Sequence, residues 1–199
     1  MTSQRHSVTR LDDDLLLDAA RHCVLSVGVR RTTLTDIARR AGTSRMTVYR
    51  RFPGVTSVVA ALMTRAFGAL LHEVGAAADG AGAARERLVT AAVRAAALLV
   101  DDPLLTSVLD RDAELLLPYL VERIGSTQRL AEKFVTELLI EGHADGSIRP
   151  APVAAQARVL FLTVQAFVLS HRTSSSDVPA SELLAELAAC LDHSLRVAS

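Results

Sequence analysis

The residues best suited to chemistry lie at positions 44–51, SRMTVYRR. Guanidinium forks, hydroxyls, a thioether and a phenol crowd this stretch, and none stands in a nucleophile–base pair. Such groups hydrogen-bond phosphates and base edges rather than break bonds. Arg45 suits a bidentate pair with guanine, and Met46 or the Thr47 methyl suits the 5-methyl of thymine. Tyr49 and Arg50, with Thr33 and Thr35 upstream, suit phosphates, whose contacts fix register and supply salt-dependent affinity. To work together, these side chains need a short rigid helix and a second helix that props it.

Both helices are written in the flanking residues. Ser44 caps a helix that runs to Phe52, and Pro53-Gly54 stops it. Thr33-Leu34-Thr35-Asp36 opens the preceding helix as a capping box, with Asp in place of the usual Glu. That helix ends near Ala41, and Gly42 supplies the left-handed backbone of a tight turn. Ile37, Ala38 and Val48 point inward, and the small Ala38 lets the two helices cross closely. A first helix is expected over Asp12–Val27. Asp12, Asp13 and Asp14 load its positive end, and Gly28 closes it. Residues 1–10 read as a disordered basic arm. Arg39 and Arg40 read as a solvated face, and Arg51 as a partner for an acid of the same module.

Composition sets the frame. Half the chain is hydrophobic, only 4% is aromatic and Trp is absent, so the core is Ala, Leu and Val. An all-α fold of about nine helices follows. The formal charge is zero, yet the first 55 residues hold ten Arg against five Asp, a net of +5, which leaves −5 for the rest. This step divides the chain into a DNA-binding part, 1–55, and a larger helical part, 56–199. Helices are expected over 57–78, 85–100, 104–110, 126–142, 153–171 and 181–196, with an irregular piece over 114–124 because of Pro118. Leu130, Phe134 and Leu138 form one face of the 126–142 helix. The two cysteines, Cys23 and Cys190, read as small core residues. The six scattered histidines show no metal spacing, no catalytic constellation is found, and no cofactor is expected. MTSQRHSVTR lacks the apolar stretch of a secretory signal, and no run approaches the roughly 18 apolar residues of a membrane span. A cytoplasmic protein without membrane contact is the expectation.

The segment TTLTDIARRAGTSRMTVYRRFP closely resembles the DNA-binding segment of the tetracycline-repressor (TetR) family of bacterial regulators. LLDAARHCVLSVGVRRTT resembles that family's first helix, and ADGSIRP the turn before its penultimate helix. The resemblance implies contacts to double-stranded DNA, a near-palindromic operator, from Thr33, Arg45, Thr47, Tyr49 and Arg50; Ser44 and Met46 join that set on the reading of the residues themselves. Where the family carries a phosphate-binding Lys near the start of helix four, this chain has PGVTS, so the helix amides with Thr56 or Ser57 stand in. The resemblance further implies a homodimer joined through the last two helices, here Val164, Val168, Leu184, Leu187, Leu191 and Leu195. It also implies a pocket for a small apolar effector, with Leu104, Tyr119, Phe134, Leu138, Phe161 and Gln165 as its wall. The buried amide of Gln165 needs a ligand, a dimer mate or a backbone group. The expected function is a regulator, a repressor released by its effector. The alternatives are a DNA-binding regulator controlled by a protein partner, and a helical enzyme with a vestigial helix-turn-helix.

Overall fold

Alanine- and leucine-rich runs become helices wherever no glycine or proline interrupts them. The computed structural model describes residues 3–78, 82–116 and 125–197. Among these run α1 (Ser3–Val27), α2 (Leu34–Arg40), α3 (Arg45–Arg51), α4 (Val55–Ala78), α5 (Ala84–Val100), α6 (Pro103–Arg111), α7 (Ser126–Ala144), α8 (Val153–Ser174) and α9 (Ala180–Leu195). A short 3₁₀ turn, Ala113–Leu116, follows α6. No strand occurs among the described residues. The all-α expectation holds.

Contacts divide the chain differently from charge. One compact unit joins Met1–Ala66 to Pro103–Glu122, and the other joins Phe67–Asp102 to Arg123–Ser199. The first unit packs Leu16, Ala20 and Val24 of α1 with Leu34, Ile37 and Ala38 of α2 and Val48 of α3. The core is completed by Val58 and Leu62 of α4 and Leu104 and Val108 of α6. Arg51 pairs with Asp13 at 2.7 Å, and Arg65 of α4 reaches Asp18 at 2.6 Å and Asp14 at 3.3 Å.

The second unit buries Leu88 and Ala91 of α5, Leu138 and Leu139 of α7, Leu160 and Val168 of α8, and Leu187, Leu191 and Leu195 of α9. The ADGSIRP turn ties three helix ends together here. Asp145 accepts the Ala84 N–H at 2.9 Å, at the start of α5, and the Ser147 N–H at 2.8 Å. The Ser147 hydroxyl and these two amides hold its carboxyl below the usual carboxylate range. Arg149 donates from its backbone N–H to the Leu195 carbonyl at 2.8 Å and from Nε to the Ser194 carbonyl at 2.6 Å, closing α9. Ile148 is buried against Gly142, where any Cβ would collide with it.

Four expectations are corrected. Helix α1 begins at Ser3, so residues 3–10 belong to it rather than to a disordered arm. With no Gly or Pro from Ser3 to Val27, each added residue extends a helix already nucleated. Asp13, Asp14 and Asp18 therefore act through Arg51 and Arg65 and not through the helix start. Leu130 is exposed, whereas Phe134 and Leu138 of the same expected face pack inward, beside Ala131 and Leu139. Cys190 is exposed, and Cys23 is half-buried. Two stretches, Val55–Ala76 and Val153–Ser174, are long and apolar enough by length and composition to cross a membrane. Each nevertheless carries charge that a bilayer would strip of water at high cost: Arg65 in the first, and Arg158 paired with Glu132 in the second.

Candidate nucleic-acid interface

Helices α2 and α3 form the helix-turn-helix. Thr33 has extended backbone, and its hydroxyl oxygen accepts the Asp36 N–H at 3.1 Å. The same hydroxyl donates to the Asp36 carboxylate at 2.6 Å. Gly42 takes φ +64°, and the Thr43 N–H reaches back to the Ala38 carbonyl at 3.0 Å, which closes the turn. Ser44 then caps α3 by accepting the Thr47 N–H at 3.1 Å. Its hydroxyl also bonds the Thr47 hydroxyl at 2.8 Å. Ile37, Ala38 and Val48 are buried as expected, so α3 is held by its inner side.

The outer side of α3 is open. Met46 is 76% and Tyr49 53% exposed, and Arg45 and Arg50 are exposed beside them. Among the described residues, Arg45 and Arg50 form no ion pair. Arg51 is tied to Asp13, as the sequence anticipated, and Arg39 pairs with Asp36 at 2.6 Å on the surface. The guanidiniums beside this exposed methionine suit a polyanion that also offers apolar groups. Tyr49 stands clear instead of packing under α1. At the start of α4, the Ser57 hydroxyl accepts the Gly54 N–H at 3.4 Å and donates to the Gly54 carbonyl at 2.7 Å, so it is tied to the helix start, and Thr56 is left exposed. Behind the reading face, burial pushes the Cys23 thiol up from its ordinary value, Asp36 adds to the rise, and Arg40 opposes it.

Comparison with known proteins bears on this geometry. The family model for "Bacterial regulatory proteins, tetR family" matches residues 16–62, the stretch from α1 into α4. The uncharacterized HTH-type transcriptional regulator Mb2274c of Mycobacterium bovis is 36% identical over 177 residues, covering 89% of this chain and 90% of its own. The chain belongs to the tetR family of bacterial regulatory proteins. As a tetR-family transcriptional regulator it shares its fold with FadR of Bacillus subtilis, solved with stearoyl-CoA. The TM-score is 0.68 at 19% identity, covering 92% of this chain and 98% of that one. RolR, solved with resorcinol, gives a TM-score of 0.71 at 14% identity, covering 95% and 89%.

The remaining sequence-derived residues of this tetR-family chain fall out unevenly. Phe134, Leu138, Phe161 and Gln165 lie on α7 and α8, which pack on each other. Phe134 rests on the cluster of Val74, Ala78 and Ala91. The Gln165 carbonyl oxygen accepts from Gln128 Nε2 at 3.2 Å, a partner the sequence reading did not name. Gln128 also accepts the Gly125 N–H at 2.6 Å, the helix-start position from which it could have been picked out. Leu104 sits in the core of the first unit with Val24 and Val108. Tyr119 lies outside the described residues.

Of the residues expected at a dimer seam, Val168, Leu187, Leu191 and Leu195 are buried within this one chain. Val164 and Leu184 are half-buried. The apolar side that α8 leaves open is Val159, Leu162 and Ala166, and α9 leaves open Ala185 and Ala189.

Proposed function

We propose that this chain is a cytoplasmic, homodimeric repressor that reads a near-palindromic operator with α3 and leaves it when a small apolar effector binds. Residues 1–55 carry the DNA-binding role and residues 56–199 the effector and dimer roles. Arg45, Met46 and Thr47 touch base edges. Thr33, Ser44, Tyr49, Arg50 and Thr56 hold phosphates, with the amides at the start of α4 replacing the absent lysine. The observation that carries this reading is the exposed Arg45–Met46–Tyr49–Arg50 face on a helix capped at Ser44 and buried on its other side.

A second copy meets the first through the open side of α8 and α9, Val159, Leu162 and Ala166 against Ala185 and Ala189. Two such helices from each chain make a four-helix seam. The paired α3 helices then enter successive major grooves, about 34–36 Å apart or somewhat more. Stearoyl-CoA and resorcinol in solved proteins of this fold support a pocket for a small organic molecule. Phe134, Leu138, Phe161 and Gln165 are its wall here. Release is a population shift that needs unequal effector affinity for the two states.

The test is selection of bound fragments from random duplex DNA, followed by a salt series on the winner. The expected result is a two-fold related sequence whose binding weakens steeply as ionic strength rises. Failure to bind any duplex at low salt, or binding by a lone subunit at full affinity, overturns the reading.

A further inference from the structure

The first unit is not built from contiguous chain. Segment 103–116 completes it, and that segment delivers the most deeply buried charge described. Asp112 is 1% exposed. Its carboxylate faces neither solvent nor a full ion pair: Oδ2 accepts the Val29 N–H at 2.8 Å and Oδ1 the Arg30 N–H at 3.2 Å. The Arg30 guanidinium is directed to Glu114 at 2.6 Å and stays 3.8 Å from Asp112.

These amides belong to the turn that joins α1 to α2. Gly28 enters it at φ +83°, where a Cβ would lie 3.1 Å from Asp112 Oδ2. Thr32 returns a hydroxyl bond to the Gly28 carbonyl at 2.7 Å. Nearby, Ser107 reaches the Val24 carbonyl at 3.5 Å and Arg111 the Leu25 carbonyl at 3.4 Å. A carboxylate is an acceptor on both oxygens, so it alone among small side chains satisfies two successive N–H groups without presenting a donor to either. Left unmet in a buried turn, those amides would carry a desolvation penalty. The direction in which α2 leaves α1, and with it the seat of α3, is therefore fixed by a residue 83 positions away in sequence.

We propose that Asp112 is a positioning residue for operator reading, acting through the Gly28–Thr32 turn. This inference rests on the DNA-reading function proposed above. The helix-turn-helix of residues 33–53 is competent only when segment 103–116 holds that turn.

The experiment compares full-length wild type with Asp112→Asn and Gly28→Ala. Asparagine keeps the shape but turns an N–H₂ group toward one of the two amides. Alanine keeps the carboxylate but sets a methyl 3.1 Å from Asp112 Oδ2 and strains the φ +83° backbone of the turn. Each variant is measured for affinity to the operator selected with wild type, for affinity to random duplex at low salt, and for hydrogen exchange at Val29 and Arg30. Operator affinity should fall about tenfold in Asp112→Asn, the loss expected for one hydrogen bond to a charged group. Random-duplex binding should change by less than about twofold, because phosphate contacts tolerate small changes of docking angle. Exchange at Val29 and Arg30 should rise. Should Asp112→Asn fail to fold, Gly28→Ala carries the same expectation. Equal operator affinity in a folded variant overturns the inference, as does an equal loss on both DNAs, which marks a role in folding only. A wild type that selects no duplex instead sinks the regulator reading itself.

Discussion

Helices α3 and α8 both expose large apolar side chains, and they differ in what surrounds them. On α3, Met46 and Tyr49 stand among Arg45 and Arg50. On α8, Val159 is 62% and Leu162 50% exposed, in a row with Ala155 and Ala166. The same exposure in a basic setting favours a polyanion that also offers apolar groups, such as base edges in a groove. In a row of small and branched aliphatics it favours another aliphatic surface. Exposure alone does not name a partner; its neighbouring charges do.

The harshest way to break this contrast is Leu162→Asp. A carboxylate in the α8 row should leave a folded monomer, and operator affinity should drop by about 100-fold or more because the two half-sites are no longer linked. Light scattering that still reports a dimer would mean α8 faces no second copy. Next comes Arg45→Ala, which should remove about 1–3 kcal/mol of discrimination at one operator position and relax choice there only. Unchanged preference in repeated selection would strip Arg45 of its reading role. Tyr49→Phe should weaken binding to every sequence by a similar factor, about 0.5–1.5 kcal/mol for one hydrogen bond; titrations on operator and random duplex that diverge would place Tyr49 with the base readers.

The smallest effect sharpens the contrast by acting on the second unit alone. Asp145 has its carboxyl lowered in the folded chain, so it adds stability above the ordinary carboxylate range and loses that contribution as pH falls through the folded value. Asp145→Asn should flatten the acid side of the melting curve, measured from about pH 7 to about pH 3, and leave DNA binding at neutral pH intact. A wild-type acid slope retained in the variant would remove Asp145 from the account.

What the sequence made legible follows from range. Thr33, Gly42 and Ser44 act within four residues of themselves, so their types and spacing were enough to place α2, the turn and α3. The all-α fold followed from composition and the positions of Gly and Pro. Asp112 gave no such signal, because its partners stand 83 and 82 positions away. The same limit hid Leu104 in the first unit. The expected seam is limited by a different thing. Helical periodicity finds an apolar stripe, and both Leu187–Leu191–Leu195 and Val159–Leu162 are stripes. Only the packed chain shows that the first is already covered. The start of α1 escaped because polar residues without a breaker look alike in helix and coil.

The cysteines offer an experimental handle. Cys190 presents its thiol on the surface of α9, while Cys23 is half-buried and burial raises its thiol from the ordinary value. A maleimide fluorophore should therefore attach faster at Cys190 than at Cys23, without engineering. Mixing donor-dyed and acceptor-dyed batches would then report subunit exchange by energy transfer, at dilutions where scattering gives no signal.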